Sequence, residues 1–270
     1  MEVSILALLV LFGVLGGFIS GLLGVGGGIV FVPVLSSVLV SIGMDDPDLA
    51  KYILANSFAA TFFAGAISSY KQYKMNSFYP KQILLTAMLA IPTSLGISYL
   101  ITHGSWYNKE SFSIFFIVLL VFMLIRFIMS RKQIEDGDTP TKLYKFPITG
   151  ALTGIISALS GLGGGVIMVP LFTQFAKLNI QKAAAISIGV IPLLMVPVII
   201  YYSALSPSQT FSTYQIGYLI PEVFLPLVAG LLFAAPAGVS VGKKVPSKYL
   251  KIIFALLIII VIIKTAANLV

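Results

Sequence analysis

Two short segments of this 270-residue chain carry residue types and spacings that suit ligand binding: Gly26-Gly27-Gly28 followed by Pro33, and Gly163-Gly164-Gly165 followed by Pro170. Glycine lets a backbone leave a helix and approach a ligand closely. A helix that starts after Gly28, or after Gly165, presents free N–H groups and a positive dipole end. Such an end is a ready anion site. Pro33 and Pro170 have no N–H, so the carbonyls of Ile29 and Val166 each lose a helical partner. In lipid such a carbonyl must face protein or a water-filled cavity. Asn56, Ser57 and Ser187, with Thr61 behind them, sit on the helix that follows each break and offer hydroxyl and amide donors to complete an anion's coordination. Ser20 and Ser157 lie just before the breaks. The competing reading is structural: glycines permit close helix packing, and hydroxyls bond across helices or back to their own.

Other chemistries have little to work with. The chain has no cysteine and one histidine, His103, which argues against thiolate and histidine metal centres. The apolar segments hold no nucleophile–base pair, so neither an enzyme nor a cofactor is expected. Hydrophobic residues make up 58% of the chain and charged residues 10%, and the mean hydropathy is +1.04. Soluble domains carry about 25% charged residues. Lipid is therefore the expected surrounding, in a multi-pass protein of the cell membrane. The net charge of +8 is read as a topology signal of short basic loops, not as a nucleic-acid surface.

Six runs are long enough to span, about 20 residues each: Leu49–Tyr70, Gln82–Ile101, Phe112–Met129, Ala183–Ser203, Ile216–Val241 and Tyr249–Ala267. Two further regions read as helical hairpins, Glu2–Leu23 turning into Ile29–Ile42 and Phe146–Leu162 turning into Val166–Lys177. The basic loops with Lys71, Lys74 and Lys81, with Arg131, Lys132, Lys142 and Lys145, and with Lys243, Lys244, Lys248 and Lys251 go to the cytoplasm. The loop with Asp45, Asp46 and Asp48 goes outside, as does the uncharged 203–215. Arg126 and Lys264 are expected to snorkel from helix ends, Glu222 to stand near the outer interface, and Tyr201, Tyr202 and Tyr218 to form an interfacial aromatic belt.

The two triplets belong to an internal repeat at a spacing of 137 (163 − 26), which also pairs Gly13 with Gly150, Gly17 with Gly154, Ser20 with Ser157 and Gly24 with Gly161. Ser57 pairs with Ser187 after a shorter loop, and Pro80 with Pro221. Each half is one hairpin plus three crossings, an odd number, so the halves take opposite orientations. The expected fold is an all-α integral membrane protein of two inverted-topology repeats. They comprise residues 1–130 and 146–270, joined by an exposed cytoplasmic linker, 131–145. Gly13, Gly17 and Gly21, like Gly150, Gly154 and Ala158, recur every four residues, a small-residue packing stripe.

With its Gly21-Leu22-Leu23-Gly24-Val25-Gly26-Gly27-Gly28 and Pro33, and Ser160-Gly161-Leu162-Gly163-Gly164-Gly165 and Pro170, the chain resembles the sulfite exporter TauE/SafE family. The family commonly has Thr-Ser where this chain has Asn56-Ser57 and Ile186-Ser187. The resemblance implies a carrier of sulfite or an organosulfonate, usually an exporter. The residues themselves point to alternating access of a small anion held by Gly26, Gly27, Gly28, Asn56, Ser57, Gly163, Gly164, Gly165 and Ser187, with an anion channel as the alternative. Re-entrant hairpin arms leave six crossings and fully spanning arms ten; the resemblance implies about eight. The expected partners are the bilayer and the anion, and the one protein partner admitted is a second copy of the chain, as a homodimer.

Overall fold

The computed structural model describes residues 3–44, 48–104, 106–129 and 142–267. Most of the expected linker, Asp45, Asp46 and the side chain of Arg126 lie outside the described residues. What is described is helical, with one isolated bridge between Ile216 and Leu219. In order the helices are α1 (Val3–Leu23), α2 (Gly28–Ser41), α3 (Leu49–Lys74), α4 (Pro80–His103), α5 (Lys109–Met129), α6 (Lys145–Ser160), α7 (Gly165–Gln174), α8 (Ile180–Ser203), α9 (Pro221–Gly242) and α10 (Ser247–Ala267).

Local signals set several of these ends. Pro80 and Pro221 stand at the first turns of α4 and α9, where proline's missing N–H costs nothing and its φ is already helical. Asn179 caps α8 by accepting a hydrogen bond from the Lys182 backbone N–H at 2.7 Å. The span expected over Ile216–Val241 is shortened for the same reason. Helix α9 begins at Pro221, and 216–220 instead form a non-helical strap in which Gly217, at φ +57°, lies against the carbonyls of Tyr202 and Ser203.

Among the described residues, five helices, α1, α3, α4, α8 and α9, are long and apolar enough to cross a membrane. The hairpin arms α2, 14 residues, and α7, 10 residues, are about 21 and 15 Å long at 1.5 Å per residue. A hydrocarbon core is about 30 Å thick, so neither arm crosses alone. Leu11, Leu84, Met88, Val118, Phe122, Phe233 and Ile260 are exposed, the arrangement of a chain solvated by lipid. Helices α3 and α8 are the buried central pair.

Helix pairing exchanges between the two halves of the chain. α1 lies along α9 as α6 lies along α4; α3 meets α9 as α8 meets α4; and α3 meets α8 at the centre. The glycine stripes make the first two pairs. Gly13, Gly17 and Gly21 abut Leu227, Leu231 and Ala235 in register, and Gly230 and Gly238 receive the carbonyls of Val10 and Phe18. Gly150 and Gly154 do the same against Thr86 and Ala90. Small residues let such backbones touch, and in lipid this close packing takes over much of the role that hydrophobic burial plays in water.

A methyl group at Gly238 or Gly150 would overlap a backbone oxygen, whereas Gly96 has open space around it. Gly150→Val and Gly238→Val are therefore expected to lose about 3 kcal/mol or more, while Gly96→Ala is neutral or slightly stabilising. Thermal unfolding of the three variants in detergent checks this.

Candidate functional site

The two glycine breaks meet. Gly28 packs on the backbone of Gly161 and Leu162, and Gly165 on that of Gly24 and Val25, so the segments cross antiparallel, backbone to backbone. Gly26 and Gly163 both touch the Thr61 methyl group, and Gly26 also touches Ile191. Thr61 is the thirteenth of 26 residues in α3, and Ile191 the twelfth of 24 in α8. The crossing thus lies halfway along both central helices. All six triplet glycines are buried.

Gly27 and Gly164 stand at the N-caps of α2 and α7 in the left-handed region, at φ +77° and +79°, which non-glycine residues rarely adopt. Neither helix has a side-chain cap. Two positive helix ends therefore arrive at the crossing with first-turn N–H groups that no side chain satisfies.

Ser57 and Ser187 occupy equivalent places and clasp opposite halves together. Ser57 Oγ donates to the Gly161 carbonyl at 2.7 Å, and Ser187 Oγ donates to the Gly24 carbonyl at 2.8 Å. Asn56 breaks the equivalence. Its Nδ2 donates to the Tyr52 and Tyr218 carbonyls at 2.8 and 3.1 Å, and its Oδ1 accepts from the Ile220 N–H at 2.9 Å. It ties the strap to α3, while its counterpart Ile186 is buried and apolar. So the structure brings the six glycines, Ser57 and Ser187 into one crossing and places Asn56 toward the strap.

Around the crossing, the hydroxyls of Ser20, Thr61, Thr153 and Ser157 are buried without a hydrogen-bond partner. Thr153, whose methyl lies beside Gly164, escaped the sequence reading. It was findable from the four-residue spacing of Thr149, Thr153 and Ser157 on α6. Buried polar groups are normally paired, and unpaired hydroxyls around uncapped helix ends suit a transient polar guest.

The two ends of the bundle differ. Beside the C-terminal end of α3, a cleft of about 360 Å³ runs from Lys182 and Lys243 down to Gly21, Leu23, Ala184 and Ala185; Ala184 touches Gly24 of the crossing. At the opposite end Tyr52, Tyr202 and Tyr218 are buried in edge-on contact, with ring centroids 5.0 Å apart for Tyr52–Tyr218 and 6.2 Å for Tyr202–Tyr218. The interfacial belt expected of Tyr202 and Tyr218 is thus corrected: the strap folds over them and removes both from the surface. Tyr218 OH and Ser208 Oγ donate to Asp48 Oδ2 at 3.0 and 2.9 Å, and Lys51 pairs with Oδ1 at 2.7 Å. Partial burial works to raise the pKa of Asp48, but the bonds from Lys51, Ser208 and Tyr218 outweigh it and hold the carboxyl below its usual range.

Spanning helices facing lipid, with glycine-broken hairpins meeting halfway through them, define a multi-pass integral membrane protein of the transporter class. The profile described as "Sulfite exporter TauE/SafE" matches residues 9–265, and the chain belongs to that family. It is similar to a probable membrane transporter protein of Methanocaldococcus jannaschii, 28% identical over 253 residues, 93% of this chain and 91% of that one. It is also similar to a probable membrane transporter protein of Haemophilus influenzae, 28% identical over 266 residues, 96% and 97% of the two chains. A probable membrane transporter protein of Bacillus subtilis is 23% identical over 272 residues, 94% of each. No solved structure matches.

Two outcomes follow. Ser57→Ala and Ser187→Ala each leave a buried carbonyl unpaired and are expected to cost about 1–3 kcal/mol, by similar amounts; paired thermal melts in detergent measure this. For Asp48, a lowered native pKa means that its stabilisation is present above the unfolded value and lost as pH falls through the native one. The gap in melting temperature between the wild type and Asp48→Asn should therefore narrow as pH falls through the lowered native pKa of Asp48.

Proposed function

We propose that this protein is a secondary transporter that carries a small anion by alternating access, with sulfite or an organosulfonate as the substrate class. The observation that carries the reading is the meeting of two uncapped, glycine-led helix ends halfway along α3 and α8. Broken helices that point positive ends at one place are how inverted-repeat carriers hold anionic groups. On this reading Gly26–Gly28 and Gly163–Gly165 supply N–H donors. Thr61, Thr153 and Ser157 supply hydroxyls, and Ser57 and Ser187 position the two breaks against each other. Asn56 holds the strap. The relatives' names support transport, and the family's description supports sulfite.

The repeats, 1–130 and 146–270, stand in opposite orientations, with the linker 131–145 and the lysine-rich end in the cytoplasm, as loop charge requires. Backbone packs on backbone at the crossing, so an anion enters it only when the breaks separate. That close packing favours a carrier over a continuously open anion channel.

The test is flux. Purified protein in phosphatidylethanolamine–phosphatidylglycerol vesicles is expected to move sulfite, sulfoacetate or taurine saturably. Gly164→Ala should lower that flux at least tenfold in protein that still folds, with a lowered melting temperature: its φ disfavours a side chain by about 1–2 kcal/mol, and the new methyl group would press on that of Thr153. Absence of binding or flux for every oxyanion tried overturns the reading. Unchanged flux in Gly164→Ala returns the triplets to packing alone.

A further inference from the structure

We propose that the cleft between the ends of α3, α8 and α9 is a loading site for an oxyanion, in which Lys182, Lys243 and Gln72 hold the anion before it reaches the crossing. This rests on the transport reading above but names a separate site. The lining includes Gln72, Ser77, Asn179, Lys182 and Lys243 and no carboxylate. Lys182 Nζ lies 5.4 Å from the centre of the Tyr79 ring, without an acidic partner among the described residues. Among the described residues, Lys243 Nζ donates only to neutral oxygens, the Met75 carbonyl at 3.0 Å and Ser77 Oγ at 2.5 Å. Burial, and then the neighbouring Lys71 ammonium, hold Lys243 below the usual lysine range. The cleft thus carries unneutralised positive charge on partly dehydrated walls, where an anion is attracted more strongly than in open water.

Gln72 gives an independent sign. It is 5% exposed, lines the cleft, and leaves Oε1 buried without a partner. An unpaired buried amide oxygen is costly, and which end of the amide faces inward follows from the partner it meets. Turned about its terminal bond, the amide presents its N–H groups to the cleft, where the oxygens of a sulfonate or sulfate accept from them.

The equivalent place at the other end of the bundle shows what the fold does when it closes this position. By the spacings that pair Ser57 with Ser187 (187 − 57 = 130) and Pro80 with Pro221 (221 − 80 = 141), Lys182 corresponds to Tyr52, Gln72 to Tyr202, and Ser77 to Tyr218. Those three tyrosines fill their end and pack on one another. The cleft is the same place with the tyrosines replaced by two cation-flanking polar groups and a lysine. It opens onto Ala184, the residue against Gly24, so an anion loaded there stands one step from the crossing.

The chain has no native cysteine, so Gln181→Cys, on the wall of the cleft, gives a single reporter thiol. Its alkylation by an uncharged polyethylene-glycol maleimide is measured on full-length protein in nanodiscs at constant ionic strength. The competing solutes are the anions methanesulfonate and sulfate, the zwitterionic sulfonate taurine and, as control, chloride. Sulfite is left out because it adds to maleimides. A sulfonate or sulfate is expected to slow labelling saturably, at least fivefold, with chloride inert. Lys182→Gln and Lys243→Gln should each raise the half-protecting concentration at least tenfold. Gln72→Met should do the same while raising the melting temperature, an outcome that a merely structural glutamine would not give. Protection that is absent, or indifferent to Lys182→Gln and Lys243→Gln, overturns the loading site. If vesicle flux persists without protection, the loading site alone falls; if protection persists without flux of any oxyanion, the transport reading falls and the cleft stands as an anion site.

Discussion

A helix broken inside an apolar layer is the constraint on which the rest of the fold depends. Each break frees N–H and C=O groups, and lipid offers them nothing; an unsatisfied group there costs several kcal/mol. This chain answers by making two breaks and putting each against the other. Gly28 rests on Gly161–Leu162, and Gly165 on Gly24–Val25. The Ser57 and Ser187 hydroxyls take up the Gly161 and Gly24 carbonyls across the pair. The carbonyls are thereby satisfied, whereas the first-turn N–H groups of α2 and α7 are left without a cap. On the proposed reading, that imbalance is what draws an anion to the centre without a lysine or arginine there.

The crossing also dictates the packing around it. For the breaks to meet, each hairpin must sit deep against the opposite half, which is where α1 lies along α9 and α6 along α4. Glycine stripes allow that depth because no side chain stands between the backbones. The same residue type therefore does two physically different jobs in one chain. At Gly13, Gly17, Gly150 and Gly154 it permits close approach in an ordinary helix. At Gly27 and Gly164 it permits a left-handed backbone as well.

Much of this was legible from sequence, for identifiable reasons. The triplets, their prolines and the stripes repeat at a fixed spacing, and repetition is a one-dimensional signal. The short arms followed from run length. The strap and the tyrosine cluster were not legible. Tyr202 and Tyr218 have the composition of an interfacial belt, and only the fold of residues 204–220 over α3 decides that they are buried. Asn56 illustrates the same limit. Its position beside Ser57 suggested a shared role, but one helical step turns its amide toward Tyr218 and Ile220. Gln72 gave no signal in sequence: it stands between Lys71 and Lys74 in the polar last turn of α3, and its place in the cleft depends on what α8 and α9 put opposite it.

The distribution of charge bears on how such a protein would release what it binds. A lysine fixed at the crossing would attract an anion strongly in a low-dielectric surrounding, and a carrier must let its cargo go as well as take it. Backbone N–H groups and hydroxyls offer partial charges that are shared, oriented and withdrawn together when the breaks part. The full charges stand instead at the cleft, where partial exposure to water weakens their hold. On the proposed reading an anion passes from long-range attraction by Lys182 and Lys243 to short-range, geometry-dependent contacts at Gly26–Gly28 and Gly163–Gly165. Capture and release are then governed by different groups, and the helix movement that opens the crossing can discharge the site without any residue changing its protonation.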